Sequence, residues 1–99
     1  MSTVEIERSV CLKCQAGRGM FEHEAAVLIR GVDQSYESMI DSEFVRLADD
    51  GKEITDDYQP AFIEVQIIKE SADAYLVELP RQVVSGGRRI WVPKSEVSQ

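Results

Sequence analysis

From residue 4 to residue 14 apolar side chains fall on alternate positions, Arg8 excepted: Val4, Ile6, Val10, Leu12 and Cys14 share one parity, and Thr3, Glu5, Glu7, Ser9, Cys11 and Lys13 share the other. A period of two belongs to a strand with one face in a core and the other in water. The pattern returns over residues 61–69, where Ile63, Val65 and Ile67 alternate with Glu64 and Gln66. Long amphipathic helical stripes are missing, so the expected class is all-β.

Between these two segments the punctuation is regular. Residues 15–19 carry Gly17 and Gly19 and read as a loop. Residues 21–30, with the run Ala25-Ala26-Val27-Leu28-Ile29, read as a second, more buried strand. A turn at 31–34 leads to a third strand at 36–40 with Tyr36, Ser38 and Ile40 on one face, and residues 42–45 suit a short helical or 3₁₀ turn. Residues 48–60 form an acidic loop in which Asp49, Asp50, Glu53, Asp56 and Asp57 face only Lys52, a local charge of 1 − 5 = −4.

After the 61–69 strand and a turn at 70–73, residues 74–79 supply another strand, which Pro80 ends because proline has no amide hydrogen to donate. Segments 81–85 and 88–92 flank Gly86-Gly87, a two-residue hairpin signal in which both turn positions need positive φ. Residues 94–97 read as a final short turn. At 99 residues, 43% hydrophobic and 29% charged, the chain is one folded domain: a first half to about residue 47, the loop 48–60, and a second half over 61–99. Residues 24–29 can be laid on 73–78 at an offset of 49, and 39–44 on 92–97 at an offset of 53. Two similar three-stranded halves would then close one small barrel, closed or partly open, since either half alone is too small to bury its apolar face. An SH3-like barrel is the first expectation and an OB-like barrel the alternative.

The run Ile90-Trp91-Val92-Pro93-Lys94-Ser95 resembles the ending of small uncharacterised bacterial and phage-borne proteins that share a tryptophan, apolar, proline, basic, serine order. The resemblance covers the last quarter of the chain and implies no activity.

The net charge of −7 sets a mean field that repels phosphate and anionic lipid. Residues 1–7 do not read as a secretory signal and no apolar stretch is long enough for a membrane helix, so a cytoplasmic setting with reduced thiols is expected. Cys11 and Cys14 have a spacing that can chelate zinc, with His23 as the sole histidine, but residues three apart on a continuing strand point to opposite faces. The expectation is a core Cys14, a surface Cys11 and a rim His23, with no metal or cofactor. The acidic loop lacks the spacing of a helix-loop-helix calcium site. No nucleophile elbow or phosphate loop is present, and an enzyme is not expected.

Against the acidic average, Arg81, Arg88, Arg89 and Lys94 gather around Trp91, with Tyr75 as a candidate neighbour. Arginine and tryptophan are enriched at protein interface hot spots, so the leading expectation is a non-enzymatic protein-interaction module with this cluster as its partner surface. The alternatives are a nucleic-acid-binding barrel that uses the same cluster, with charge for phosphate and ring for base, and a small zinc protein built on Cys11 and Cys14. In the plain reading Trp91 caps the barrel core and the arginines keep an edge hairpin soluble.

Overall fold

The computed structural model describes residues 4–49 and 53–98, with side chains from Arg8 onward. The described residues are all-β: β1 (Val4–Arg18), β2 (Glu24–Arg30), β3 (Ser35–Asp41), a 3₁₀ turn (Ser42–Phe44), β4 (Val45–Leu47), β5 (Gln59–Glu70), β6 (Ala74–Glu78), β7 (Arg89–Pro93), a second 3₁₀ turn (Lys94–Glu96) and β8 (Val97–Ser98). They make one antiparallel sheet in the order β3-β2-β1-β5-β6-β7, with β4 beside β5 and β8 beside β1, curled into a partly open barrel. Among the described residues no helix is long and apolar enough to cross a membrane.

The period-two segments become the two long central strands. Val10, Leu12, Cys14 and Ala16 of β1 and Ala61, Ile63, Val65 and Ile67 of β5 point into the core, joined by Val27, Ile29, Ile40, Val77 and Val92. β1 continues through residues 15–18, where a loop is expected, because Gln15–Arg18 find ladder partners in Leu28–Ala25. Gly17 therefore lies inside a strand, and the turn begins at Gly19, where a Cβ would meet the Glu24 carbonyl oxygen at 2.8 Å.

The expected strand at 81–85 does not form. β6 and β7 are joined by residues 79–88, in which Val83 N–H donates to the Gly87 carbonyl at 2.9 Å and Gly86 N–H to the Val83 carbonyl at 2.8 Å. Gly86 and Gly87 do take positive φ, +102° and +88°. The glycines bend a long connection back on itself instead of closing a two-residue hairpin, because the ladder already runs from Ala74↔Pro93 to Glu78↔Arg89.

The two halves share one plan: three antiparallel strands, a 3₁₀ turn and a short strand. The registers give their equivalence. Leu12 pairs with Ile63 at an offset of 63 − 12 = 51; Ala16↔Val27 corresponds to Ile67↔Val77, so β2 maps on β6 at 77 − 27 = 50; Ala25↔Ile40 corresponds to Tyr75↔Val92, so β3 maps on β7 at 92 − 40 = 52. The alignment at offsets 49 and 53 is one residue out in each segment. In a strand one residue exchanges the two faces, and only the 50 and 52 offsets match buried Val27 to Val77 and Ile40 to Val92.

Each half clasps the other. β4 lies on β5 through Val45↔Ile63, and β8 lies on β1 through Leu12↔Val97. The outer edge of β7 accepts a hydrogen bond at the Trp91 carbonyl from Val32 N–H, in the β2–β3 turn, at 3.0 Å. Reciprocally, the 79–88 connection reaches the outer edge of β3: Val83 bridges Ser38, and Val84 N–H donates to the Glu37 carbonyl at 2.7 Å. Ser38, fully buried, donates its hydroxyl to the Gln82 carbonyl at 2.9 Å, which satisfies this buried polar group.

Candidate functional site

The strand β7 sets the side chains of the expected partner cluster by parity. Ile90 and Val92 are buried, so Arg89 and Trp91 face outward. Trp91 is thus a half-buried side chain on the outer face of the sheet, opposite Leu76 of β6, and does not cap the core. The cations around it are largely committed within the protein. Arg89 Nε lies 3.0 Å from Glu78 Oε1. Arg88 Nε donates to the Leu79 carbonyl at 3.1 Å and holds the root of the 79–88 connection. Lys94 Nζ is bound to the Glu70 carboxylate and stands 5.0 Å from the centre of the Tyr75 ring. That hydrogen bond to Glu70 favours the ammonium form and raises the Lys94 pKa. Arg81 is exposed on the same connection as Val84, whose side chain is 68% exposed.

Outer faces that correspond in the two halves are treated differently. In the first half the row Gly17, Ala26, Met39 runs across β1, β2 and β3. The Tyr58 ring lies over Gly17, within 3.4 Å of where a Cβ would stand, and Tyr58 OH donates to Glu37 Oε2 at 3.3 Å. Burial and the Glu37 carboxylate both push the Tyr58 phenol pKa up. The corresponding row in the second half is Lys69, Leu76, Trp91, a register shift after Ile67 having passed over Ile68, the residue 51 beyond Gly17. The face that a connection covers in one half carries, in the other, two large apolar side chains left partly exposed, Leu76 and Trp91, beside exposed Lys69.

Cys11 and Cys14 separate as the strand requires. Cys14 faces the core, where burial raises its thiol pKa to about 12, and it is a neutral thiol at neutral pH. Cys11 faces outward, its sulfur 3.8 Å from Arg46 Nη2. His23 is exposed in the β1–β2 turn, where its carbonyl accepts from Ser42 N–H at 2.8 Å. The structure therefore does not bring Cys11, Cys14 and His23 together, and among the described residues no three His, Cys, Asp or Glu side chains are placed to share a metal ion. Of the acidic loop, Asp56 pairs with Arg18 at 3.7 Å and Arg18 N–H donates to the Thr55 carbonyl at 2.8 Å, so this segment closes over the end of β1. Asp50 lies outside the described residues.

Sequence reasoning passed over a second group, on the outer face of β1 and β5. Lys13 sits opposite Phe62, and Phe62 opposite Arg46 of β4. These residues are far apart in sequence, but one signal was available: Phe62 is an aromatic at a polar-parity position between buried Ala61 and Ile63. Compared with known proteins, the chain matches no protein-family model, no curated protein and no solved structure.

Proposed function

We propose that the chain is a non-enzymatic protein-interaction module whose contact surface is the outer face of β6 and β7, with Trp91 as anchor and Leu76 beside it. The observation that carries this reading is the position of Trp91 on an outer face whose counterpart in the first half is covered. A large aromatic half out of water, flanked by arginine, is the composition of an interface anchor. Arg81, Arg88 and Val84 on the adjoining connection extend the surface, and Lys94 borders it. Two unbridged thiols suit a cytoplasmic setting. The nucleic-acid reading draws less support, because Arg89 and Lys94 already hold carboxylates.

Affinity capture from extract of the source cell tests the reading, with wild type compared with Trp91→Ala/Arg89→Glu. Both residues lie outside the core, so the variant should keep its dispersed amide spectrum while losing a saturable partner. Equal recovery by the two proteins would move the surface elsewhere. No saturable partner of the wild type would remove the module reading itself.

A further inference from the structure

On the outer face, the antiparallel registers align side chains in rows across the strands. Gln15 lies opposite Leu28 of β2 on one side and Pro60 of β5 on the other, and Ala48 N–H donates to the Pro60 carbonyl at 3.0 Å. This is an apolar row with one amide: Leu28, Gln15, Pro60, Ala48. Two residues away lies a second group. Lys13 faces Phe62, Phe62 faces Arg46, and Arg30, two residues past Leu28 where the β1–β2 ladder ends, lines the same cleft as Lys13 and Phe62. This second group is Arg30, Lys13, Phe62 and Arg46: three cations and one aromatic.

Residues of both groups, with Glu96, line a cleft of about 460 Å³. Its floor is the edge of β1 at Lys13 and Cys14, which lies in the gap between the β8 ladder at residues 11–12 and the β2 ladder at residues 15–18. Arg46 stands beyond Phe62, its guanidinium 5.8 Å from the ring centre and 3.8 Å from the Cys11 sulfur. Among the described residues no ion pair holds Lys13, Arg30 or Arg46. Like charges that line one cleft repel, and in a chain of net charge −7 there is no shortage of carboxylates to neutralise them.

The equivalent cleft in the second half makes the asymmetry plain. It lies between the β4 and β6 ladders on β5 and is lined by Glu64, Gln66, Glu78 and Phe44, with Arg88 at its side as the one cation against two carboxylates. By the offsets above, Lys13 corresponds to Glu64, Leu28 to Glu78 and Glu96 to Phe44. One skeleton carries a cationic cleft and an anionic one.

We infer that the Lys13–Arg30–Phe62 cleft docks an extended, carboxylate-bearing segment of a protein partner, with an apolar side chain on the Leu28–Pro60 row and an acidic side chain on the cationic group. The inference rests on the protein-interaction reading and names the partner's chemistry. In an extended chain, residues i and i+2 share a face and stand about 7 Å apart, which is the separation of the two groups along β1 and β5. The cleft is a partly open depression and not an enclosed cavity. A small molecule would stay largely in water there, whereas a peptide makes further contacts outside it. Glu64 and Glu96 beside the cations disfavour a long phosphate backbone and tolerate one or two carboxylates.

The test is an amide-shift titration of the full chain with acetyl-Glu-Thr-Leu-Thr-Glu-amide and with the same peptide carrying glutamine for both glutamates. The acidic peptide is expected to move the Gln15, Leu28, Arg30 and Phe62 signals, and the neutral one to bind at least tenfold more weakly. Lys13→Glu/Arg30→Glu, and the milder Lys13→Gln/Arg30→Gln should the first not fold, are expected to abolish the shifts. Equal binding of both peptides, no shifts at millimolar peptide, or shifts confined to the Glu64 cleft would overturn the inference. So would tighter binding of a mixed single-stranded oligonucleotide at low salt, which would assign the cations to phosphate. If the peptide fails while wild type still captures a partner that Trp91→Ala/Arg89→Glu loses, the cleft falls and the module stands. If wild type captures none, both fall.

Discussion

The two halves of this barrel agree at most positions where side chains point inward, Cys14 and Ser38 being exceptions, and diverge where they point out. Leu12 and Ile63, Val27 and Val77, and Ile40 and Val92 are matched in place and in burial. Gly17-Ala26-Met39 against Lys69-Leu76-Trp91, and the Lys13 cleft against the Glu64 cleft, are matched in place alone. Packing density restricts the inner positions to a few volumes, whereas an outward side chain on a strand answers only to solvent and partners. Differences between equivalent outward positions therefore point to function more sharply than either surface does by itself.

The matching of the inner faces is most exposed to test at the centre. Leu12→Ala and Ile63→Ala, each made at a side chain no more than 1% exposed, should each lose about 2–5 kcal/mol in urea unfolding. The two losses should be alike, and a large disparity would mean that the halves do not share one packing solution. Cys14 breaks the symmetry, since its counterpart, at 14 + 51, is Val65. Its folded pKa of about 12 lies above the 9.0 of an unperturbed thiol, so the neutral thiol's contribution is fully present below pH 9 and is lost as pH rises toward 12. Three pKa units correspond to at most about 4 kcal/mol. Thermal melts from pH 8 to pH 11 should show this decline, and Cys14→Val, which makes the halves alike, should reduce it.

Ser38 has Ile90 as its counterpart (90 − 38 = 52), so one half carries a buried hydroxyl where the other is apolar. Ser38→Ala would strand the Gln82 carbonyl, at a cost of about 1–3 kcal/mol, and should speed hydrogen exchange at the Val84 amide. The smallest effect belongs to the outer face: Glu78→Gln, which removes the partly exposed pair with Arg89, should change stability by no more than about 1 kcal/mol. A larger loss there would show that the outer face also holds the fold together.

Most of the fold was legible because it rests on local rules. Period-two runs marked β1 and β5, and short turns were legible around Ser42 and Lys94, where the structure has 3₁₀ turns. Positive φ at Gly86 and Gly87 was read correctly, but the hairpin drawn from it was not, because the partner of β7 is chosen by the β6 ladder and not by the nearest glycines. Likewise Gly17 looked like a loop residue and is held in a strand by Ala26. At the site, the composition around Trp91 was visible in sequence. Its outward position, and the ion pairs that occupy Arg89 and Lys94, depend on residues more than ten positions away. The group of Arg30, Lys13, Phe62 and Arg46 exists only once β2, β1, β5 and β4 are brought together.

The exchanged short strands have a consequence for how the molecule comes apart. β4 leaves the first half to lie on β5, and β8 leaves the second to lie on β1. Neither half can melt while the other stays intact, because each loses a strand that its neighbour supplies. Unfolding should therefore be a single cooperative event with coincident transitions by every probe, despite the chain's division into two similar parts.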